Sequence, residues 1–240
     1  MDLVDVTPRL ALLRFAIGQA YLWRDGDDLT LVDAGWSGAG ADIEAGIRGA
    51  GLRPENVRRI VLTHCHRDHV GAAEELAARY GCEVLAHRLD APMIRGEVPV
   101  PDPVLLDWER PYFEQAAGVP AAPATRVDRE LSDGDDLGFG DGARVVHTPG
   151  HTAGSIAIHL PRHGVLFAGD TVATIQRVGL GVFHVDRAGA MASMRGLAEL
   201  APHVLCVGHG DPVTEDTAAV LREATERDAA VPAGTADDDA

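Results

Sequence analysis

The stretch RRIVLTHCHRDHVGA, residues 58–72, passes from an apolar run directly into a cluster of histidines. The run RRIVL is rich in β-branched residues and leucine, which predicts a buried strand. Four polar side chains follow it within six residues: His64, His66, Asp68 and His69. Several neutral imidazoles with one carboxylate suit a borderline metal ion such as zinc. The sequence therefore predicts that a metal-binding loop begins where this strand ends.

Three further candidate ligands lie far along the chain, each after its own apolar run. His151 stands in HTPGHTAGS, Asp170 in VLFAGDT and His209 in VLCVGHG. The glycine beside each of them permits a tight turn and a close approach of the backbone. Ligand sites of open α/β sheets gather beyond the carboxyl ends of the strands. We therefore expect these loops and the 58–72 loop to converge on one crevice.

Short apolar runs alternate with helical patterns along most of the chain, which predicts a single α/β domain with sheet between helices. We predict strands at 10–17, 29–32, 59–62, 83–86, 144–147, 155–160, 165–168 and 204–207. We predict helices at 41–50, 72–80, 190–200 and 217–227. The domain is expected to span residues 1–228. Residues 229–240 have almost nothing to bury and are expected to form a disordered acidic tail.

Residues 92–128 interrupt this alternation with a proline-rich segment that carries Trp108, Tyr112 and Phe113. Such a segment inside a compact domain predicts a lid or substrate loop, and an insertion that only packs on the surface is the alternative. The three aromatic residues are candidate substrate contacts. His184, in the stretch GVFHVD, is a fourth candidate.

His87 and Asp90 follow the predicted strand at 83–86 and precede the proline-rich segment. Polar residues in that position line a pocket rim or form a solvated turn, and the sequence does not separate the two. No role is assigned to them at this point.

Composition indicates the cellular compartment and the class of partner. Thirty-seven acidic and 21 basic residues leave a formal charge of −16, so a nucleic-acid partner is not expected. Three cysteines fit a reducing compartment better than a disulfide framework. The N-terminus does not read as a secretory signal, and no apolar run reaches the roughly 18 residues of a membrane span. We expect a cytoplasmic protein that acts on a small molecule and does not bind a membrane. Its oligomeric state stays open.

The pattern THCHRDH, followed by isolated His, Asp and His in these contexts, resembles the metallo-β-lactamase superfamily from about Leu29 to about Asp211. The resemblance implies an α/β fold, an αββα sandwich of two mixed sheets flanked by helices. It also implies two sets of metal ligands and one bridging carboxylate, namely His64, His66 and His151, then Asp68, His69 and His209, with Asp170 as the bridge. Asp33, in LVDAG, matches a supporting residue of the family.

Glyoxalase-II proteins share this seven-ligand pattern, and the resemblance implies a hydrolase with two divalent ions. Zinc is the first choice, with iron and manganese as the others. A hydroxide that bridges two such ions can attack the carbonyl of an ester, thioester or lactone. Asp170 would hold both ions, and Asp68 would orient the water or take its proton. These two aspartates are therefore the predicted catalytic residues.

Two other activities stay open on the same pattern. Acyl-homoserine lactonases that resemble it carry a tyrosine three residues after the bridging aspartate, where this chain has Ala173. Persulfide dioxygenases use a single iron held by two histidines and one aspartate, which would be His64, His151 and Asp170 here. One iron favours oxygen chemistry, whereas two zinc ions favour hydrolysis, so the metal content separates these activities.

Overall fold

The computed structural model describes residues 1–230, and a seven-stranded sheet forms its first layer of strands. Strand order across this sheet equals the order along the chain: β1 (Asp2–Thr7), β2 (Leu10–Arg14), β3 (Gln19–Asp25), β4 (Asp28–Val32), β5 (Val57–Val61), β6 (Glu83–His87) and β7 (Arg129–Leu131). Neighbours from β1 to β4 are antiparallel, and neighbours from β4 to β7 are parallel. The sheet is therefore mixed.

The second half of the chain builds a four-stranded sheet and a short ribbon. Its strands are β8 (Arg144–His147), β9 (Ile156–Leu160), β10 (Val165–Phe167), β11 (Val172–Ala173), β12 (Gly179–Leu180) and β13 (Val204–Cys206). The sheet has the order β13-β10-β9-β8, and β11 pairs with β12 in a separate two-stranded ribbon. Since β10 runs parallel to β13 and antiparallel to β9, this sheet is mixed as well.

The α-helices are α1 (Gly40–Gly49), α2 (Arg67–Val70), α3 (Ala73–Tyr80), α4 (Ala91–Ile94), α5 (Arg110–Ala116), α6 (Arg187–Glu199) and α7 (Thr217–Ala230). α1 and α3 cover the outer face of the first sheet, and α6 and α7 cover that of the second. Ile43 of α1 and Leu76 of α3 pack in the core on the first sheet. Met194 of α6 and Leu221 of α7 pack in the core on the second.

The alternation of side chains along each strand separates these layers. In β2, Leu10 and Leu12 face the core between the two sheets, whereas Leu13 faces the core under α1 and α3. In β10, Phe167 faces the core between the sheets and Leu166 faces α6 and α7. Three apolar layers thus lie between four layers of secondary structure. The predicted αββα sandwich of two mixed sheets flanked by helices is confirmed.

All eight predicted strands are present, but β1, β3, β7 and the two-residue strands β11 and β12 are additional. The strand predicted at 10–17 is wrong at its end: β2 stops at Arg14, and Gly18, with φ of +66°, leads into β3. β3 begins with the polar residue Gln19, and the buried apolar residues 20–23 that follow it lie outside the predicted strands. Charged residues interrupt β1, and β7 has only three residues. Short and interrupted strands are the ones that sequence periodicity misses.

The last helix, α7, continues to Ala230, so the predicted tail lies outside the described residues from position 231 onward. Within residues 1–230, no helix combines the length and the apolar character needed to cross a bilayer.

Candidate metal centre

The predicted ligands lie in loops that leave both sheets and converge. His64 and His66 follow β5, Asp68 and His69 belong to α2, His151 follows β8, Asp170 lies in the 3-10 turn Gly169–Thr171 after β10, and His209 follows β13. The structure brings all seven side chains together. The first group is His64, His66 and His151, the second is Asp68, His69 and His209, and a third group, His64, His69 and Asp170, overlaps both. Within each group the ligand atoms lie within 4.8 Å of one another. Their role as metal ligands stays a prediction at this point.

The first group consists of three imidazoles. His151 Nε2 lies 3.2 Å from His64 Nε2 and 2.9 Å from His66 Nδ1. The other nitrogen of His151, Nδ1, lies 3.0 Å from Val182 O. Because a carbonyl oxygen only accepts, Nδ1 carries the proton and the lone pair of Nε2 points at the other two rings. Such a lone pair is what a metal ion requires.

The second group combines a carboxylate with two imidazoles. His209 Nε2 lies 3.3 Å from Asp68 Oδ2, and His69 Nε2 lies 3.8 Å from the same oxygen. Asp170 lies between the two groups: its Oδ2 is 3.2 Å from His209 Nε2 and 3.5 Å from His151 Nε2. A single carboxylate therefore contacts both groups.

Asp33 holds two of the histidines in one tautomer. Its Oδ2 accepts the hydroxyl hydrogen of Thr63 at 2.8 Å and faces His69 Nδ1 at 2.8 Å. Because the Thr63 hydroxyl donates to Asp33, its oxygen accepts from His64 Nδ1, which lies 3.0 Å away. Both rings thus carry the proton on Nδ1 and direct Nε2 inward. This outer support fixes the orientation of metal-binding imidazoles.

Two buried atoms test whether these residues fit metal ions. His69 Nε2 and Asp170 Oδ1 lie 3.3 Å apart, yet neither makes a hydrogen bond to any residue of the described part of the chain, 1–230. Buried polar atoms are nearly always paired, and an unpaired one costs free energy. Imidazole nitrogens and carboxylate oxygens at this spacing are the ligands that borderline divalent ions take. The side chains present therefore fit divalent cations.

The pKa values of these imidazoles shift in opposite directions. Burial, together with neighbouring histidines, holds the pKa of His64 and His151 well below the usual range, so both are neutral. Burial acts in the same direction on His209, but the charges of Asp170 and Asp68 outweigh it and raise the pKa of His209 to about 10. A divalent cation can neutralise the same carboxylates and displace that proton, which is how metal binding is coupled to ligand protonation.

Each ligand group combines buried and partly exposed side chains. In the first group His64 and His151 are 1% and 2% exposed, whereas His66 is partly exposed. In the second group Asp68 and His209 are 18% and 29% exposed, whereas His69 is fully buried. Solvent therefore reaches members of both groups.

Gln19 and Tyr21 support the His209 loop, and sequence reasoning missed both of them. Gln19 Nε2–H donates to Val207 O at 2.6 Å and to Gly210 O at 2.9 Å, and the Tyr21 hydroxyl donates to Val207 O at 2.9 Å. Both side chains are buried. They stand on β3, which the sequence did not reveal, and their partners lie more than 180 residues away.

His184 lies beside the first group. Its ring is 5.5 Å from the ring of His151, and its Nε2–H donates to Gly181 O at 2.7 Å. Its other nitrogen, Nδ1, is buried and has no hydrogen-bond partner within residues 1–230. The structure therefore leaves one acceptor of His184 available next to the cluster.

The three aromatic candidates lie farther out, on the 92–128 insertion. The Phe113 ring contacts the Phe183 ring at 5.3 Å, and Glu109 Oε1 accepts from the Phe183 backbone N–H at 3.3 Å. Trp108 and Tyr112 are 37% and 58% exposed. The insertion is thus attached to the segment that carries His184, and two of its aromatic rings face solvent.

Comparison with known proteins indicates the family to which this chain is similar. Residues 13–209 match the family model described as the metallo-beta-lactamase superfamily. "Probable metallo-hydrolase YflN" of Bacillus subtilis (strain 168) is 31% identical over 177 residues, which are 66% of this chain and 66% of that protein. A hydroxyacylglutathione hydrolase of Cereibacter sphaeroides (strain ATCC 17029 / ATH 2.4.9) is 33% identical over 64% of this chain. That match spans 49% of the relative, about half of its length.

A solved structure of TTHA1623, in a di-iron-bound form, superposes with a TM-score of 0.66 at 27% identity and covers 93% of this chain and 98% of that one. The names of these relatives indicate a metallohydrolase, and the shared fold implies metal ions. The family model covers most of the chain and includes all seven of the converging side chains, so this chain belongs to the metallo-β-lactamase superfamily.

Proposed function

We propose that the chain is a hydrolase that binds two divalent cations and cleaves an ester, thioester or lactone bond of a small molecule. The observation that carries this proposal is the arrangement of Asp170, whose oxygens lie 3.2–3.9 Å from imidazole nitrogens of both ligand groups. A carboxylate in that arrangement can hold two cations at a short separation. Two bound cations would supply a water molecule of lowered pKa and would polarise a carbonyl oxygen.

The chain's own residues would hold the cations and accept the proton. His64, His66 and His151 would hold one cation, and Asp68, His69 and His209 the other. Asp68 is also the proton acceptor: its carboxylate is more exposed than that of Asp170, 18% against 10%. Such a carboxylate can orient an incoming water molecule and take its proton.

Metal analysis combined with a substrate panel tests this proposal. We expect about two divalent metal ions per purified chain, with zinc as the first choice; the likeness to a di-iron protein adds iron as the second. The loaded enzyme is expected to hydrolyse at least one member of a panel of esters, thioesters and lactones. Full removal of metal by a chelator should abolish this turnover, and Zn²⁺ should restore it. A protein that binds two metals and turns over no member of the panel would contradict the proposal.

A dioxygenase with one iron is the second candidate function, because the three side chains that would hold the iron, His64, His151 and Asp170, also lie close together. His64 Nε2 lies 3.2 Å from His151 Nε2 and 3.9 Å from Asp170 Oδ2. The same metal analysis separates the candidates. About one iron per chain, with oxygen uptake on addition of glutathione persulfide, would replace hydrolysis by this activity.

The insertion supplies a prediction about the substrate. If Trp108, Tyr112 and Phe113 contact its apolar part, Tyr112→Ala should raise KM for long-chain acyl esters about tenfold and leave kcat nearly unchanged, since losing one such contact costs about 1.4 kcal/mol. Steady-state kinetics on esters of increasing chain length measure this effect. Acetyl esters are the matched control substrate, because they lack the long apolar chain that the insertion would contact.

Val4→Ala is the matched control variant, since Val4 is an exposed apolar residue on β1. It should change neither constant. Equal KM values for Tyr112→Ala and the unmodified protein at every chain length would remove the insertion from the substrate site.

A further inference from the structure

Asp90 is a fully buried carboxylate that makes contact with two ligand loops at once. It follows β6, and its side chain is 0% exposed. Oδ2 accepts the backbone N–H of Cys65 at 2.9 Å and the hydroxyl hydrogen of Thr152 at 2.7 Å, and Oδ1 accepts the backbone N–H of Gly154 at 2.7 Å. All three donors are uncharged. Its burial corrects the view of this residue as part of a pocket rim or a solvated turn.

These three donors adjoin the first ligand group in the chain. Cys65 lies between His64 and His66, and Thr152 directly follows His151. The two loops start from different sheets, and the ligands that they carry are 87 positions apart. Nothing in the local sequence sets their separation. The hydrogen bonds to one carboxylate do so, because both loops must approach the same pair of oxygen atoms.

The fit around Asp90 is tight. A Cβ atom added to Gly154 would lie 2.5 Å from the Asp90 nitrogen and 2.5 Å from Oδ1, closer than non-bonded atoms approach. The His151 loop can therefore reach the carboxylate only because residue 154 lacks a side chain. A backbone hydrogen bond from Ile156 N–H to Thr63 O, at 2.9 Å, joins the same two sheets independently. Loss of the Asp90 contacts is thus expected to shift the loops without unfolding the sandwich.

We propose that Asp90 is a positioning residue that sets the spacing of His64, His66 and His151 and thereby determines how tightly this group alone holds its cation. Its hydrogen bonds go to the loop residues next to these ligands, not to the imidazoles themselves. The inference rests on the proposed two-cation centre, which the same experiment tests separately. Outer-shell partners of metal ligands typically change metal affinity about 10–100-fold when they are removed.

The test is a titration of the metal-free full-length protein with Zn²⁺ alone, followed by calorimetry and by competition with a chromophoric chelator. His209→Ala isolates binding by the first group, and His66→Ala isolates binding by the second. Asp90→Asn is expected to weaken Zn²⁺ binding about 10–100-fold in the His209→Ala background and to leave it within about threefold in the His66→Ala background. Gly154→Ala should reproduce this selectivity with the carboxylate intact.

Asp25→Asn is the matched control. Asp25 accepts from Gly140 N–H at 2.7 Å and from Trp23 Nε1–H at 2.9 Å, at the end of β3 opposite to Gln19. This variant should lower the unfolding temperature of the metal-free protein and leave both Zn²⁺ affinities unchanged. Thr152→Val removes one of the three hydrogen bonds to Asp90, together with the contact between the Thr152 hydroxyl and Ser155 Oγ at 2.8 Å. It should show a smaller loss with the same selectivity, even if Asp90→Asn fails to fold.

Equal weakening in both backgrounds, or no weakening in either, would overturn the role of Asp90 while leaving the two-cation centre intact. If the unmodified chain binds no Zn²⁺, the proposed function fails, and the role of Asp90 fails with it.

Discussion

Asp170→Asn is expected to reduce the metal content from about two ions per chain to one or fewer and to lower kcat/KM by more than about a hundredfold. Asp170 Oδ2 lies 3.2 Å from His209 Nε2 and 3.5 Å from His151 Nε2, so one oxygen serves both ligand groups. Asparagine keeps the shape but removes the charge that two cations require. Loss of an outer-shell partner already costs about 10–100-fold, and loss of a ligand shared by two ions should cost more. Elemental analysis and steady-state kinetics measure the two effects.

Asp211→Asn is the matched control for this variant. Asp211 lies two residues after His209, is 78% exposed and pairs with Arg14 on the surface. It should retain both metal ions and full turnover, because exposed ion pairs contribute little. Two tightly bound metals and full turnover in the Asp170→Asn protein would refute the assignment of Asp170 as the shared ligand.

Asp33→Asn is expected to weaken cation binding by Asp68, His69 and His209 about 10–100-fold. Residue 33 has φ of +62°, a conformation that asparagine tolerates, so the substitution leaves the backbone in place. The loss arises because Asp33 Oδ2 receives hydrogen atoms from Thr63 and His69, and an amide nitrogen at that position would repel both. His69 would then no longer be held with Nε2 facing inward. Zn²⁺ titration in the His66→Ala background measures the change.

Thr63→Val separates the two histidines that depend on Asp33. It removes the hydroxyl that faces His64 Nδ1 and leaves the contact between Asp33 and His69 intact. We expect it to weaken the group that contains His64 more than the group that contains His69. An Asp33→Asn protein that binds both cations as tightly as the unmodified chain would show that this carboxylate does not orient His69.

The apolar patterns predicted most of the sandwich because a buried strand appears in the sequence as a run of neighbouring apolar residues. In β2 and β10, consecutive apolar residues fill the cores on both faces of a sheet, and the sequence shows them as the apolar runs LALL and VLF. β3 lies just as deep, yet it starts with Gln19, whose amide satisfies carbonyl groups of the His209 loop. Its polar start is explained by a partner that is distant in sequence, which no local pattern can reveal.

The sequence by itself determined the types of the seven converging side chains and their place after apolar runs, because a strand followed by a glycine-containing turn is a local property. Only the tertiary structure decided which nitrogen of each imidazole faces inward, that Asp33 and Thr63 hold two of these rings, and that Asp90 is buried between two loops instead of lying at a pocket rim. These features depend on hydrogen bonds between atoms of different loops. Their distances are set by how the two sheets stack, and the order of residues within any single loop does not encode that stacking.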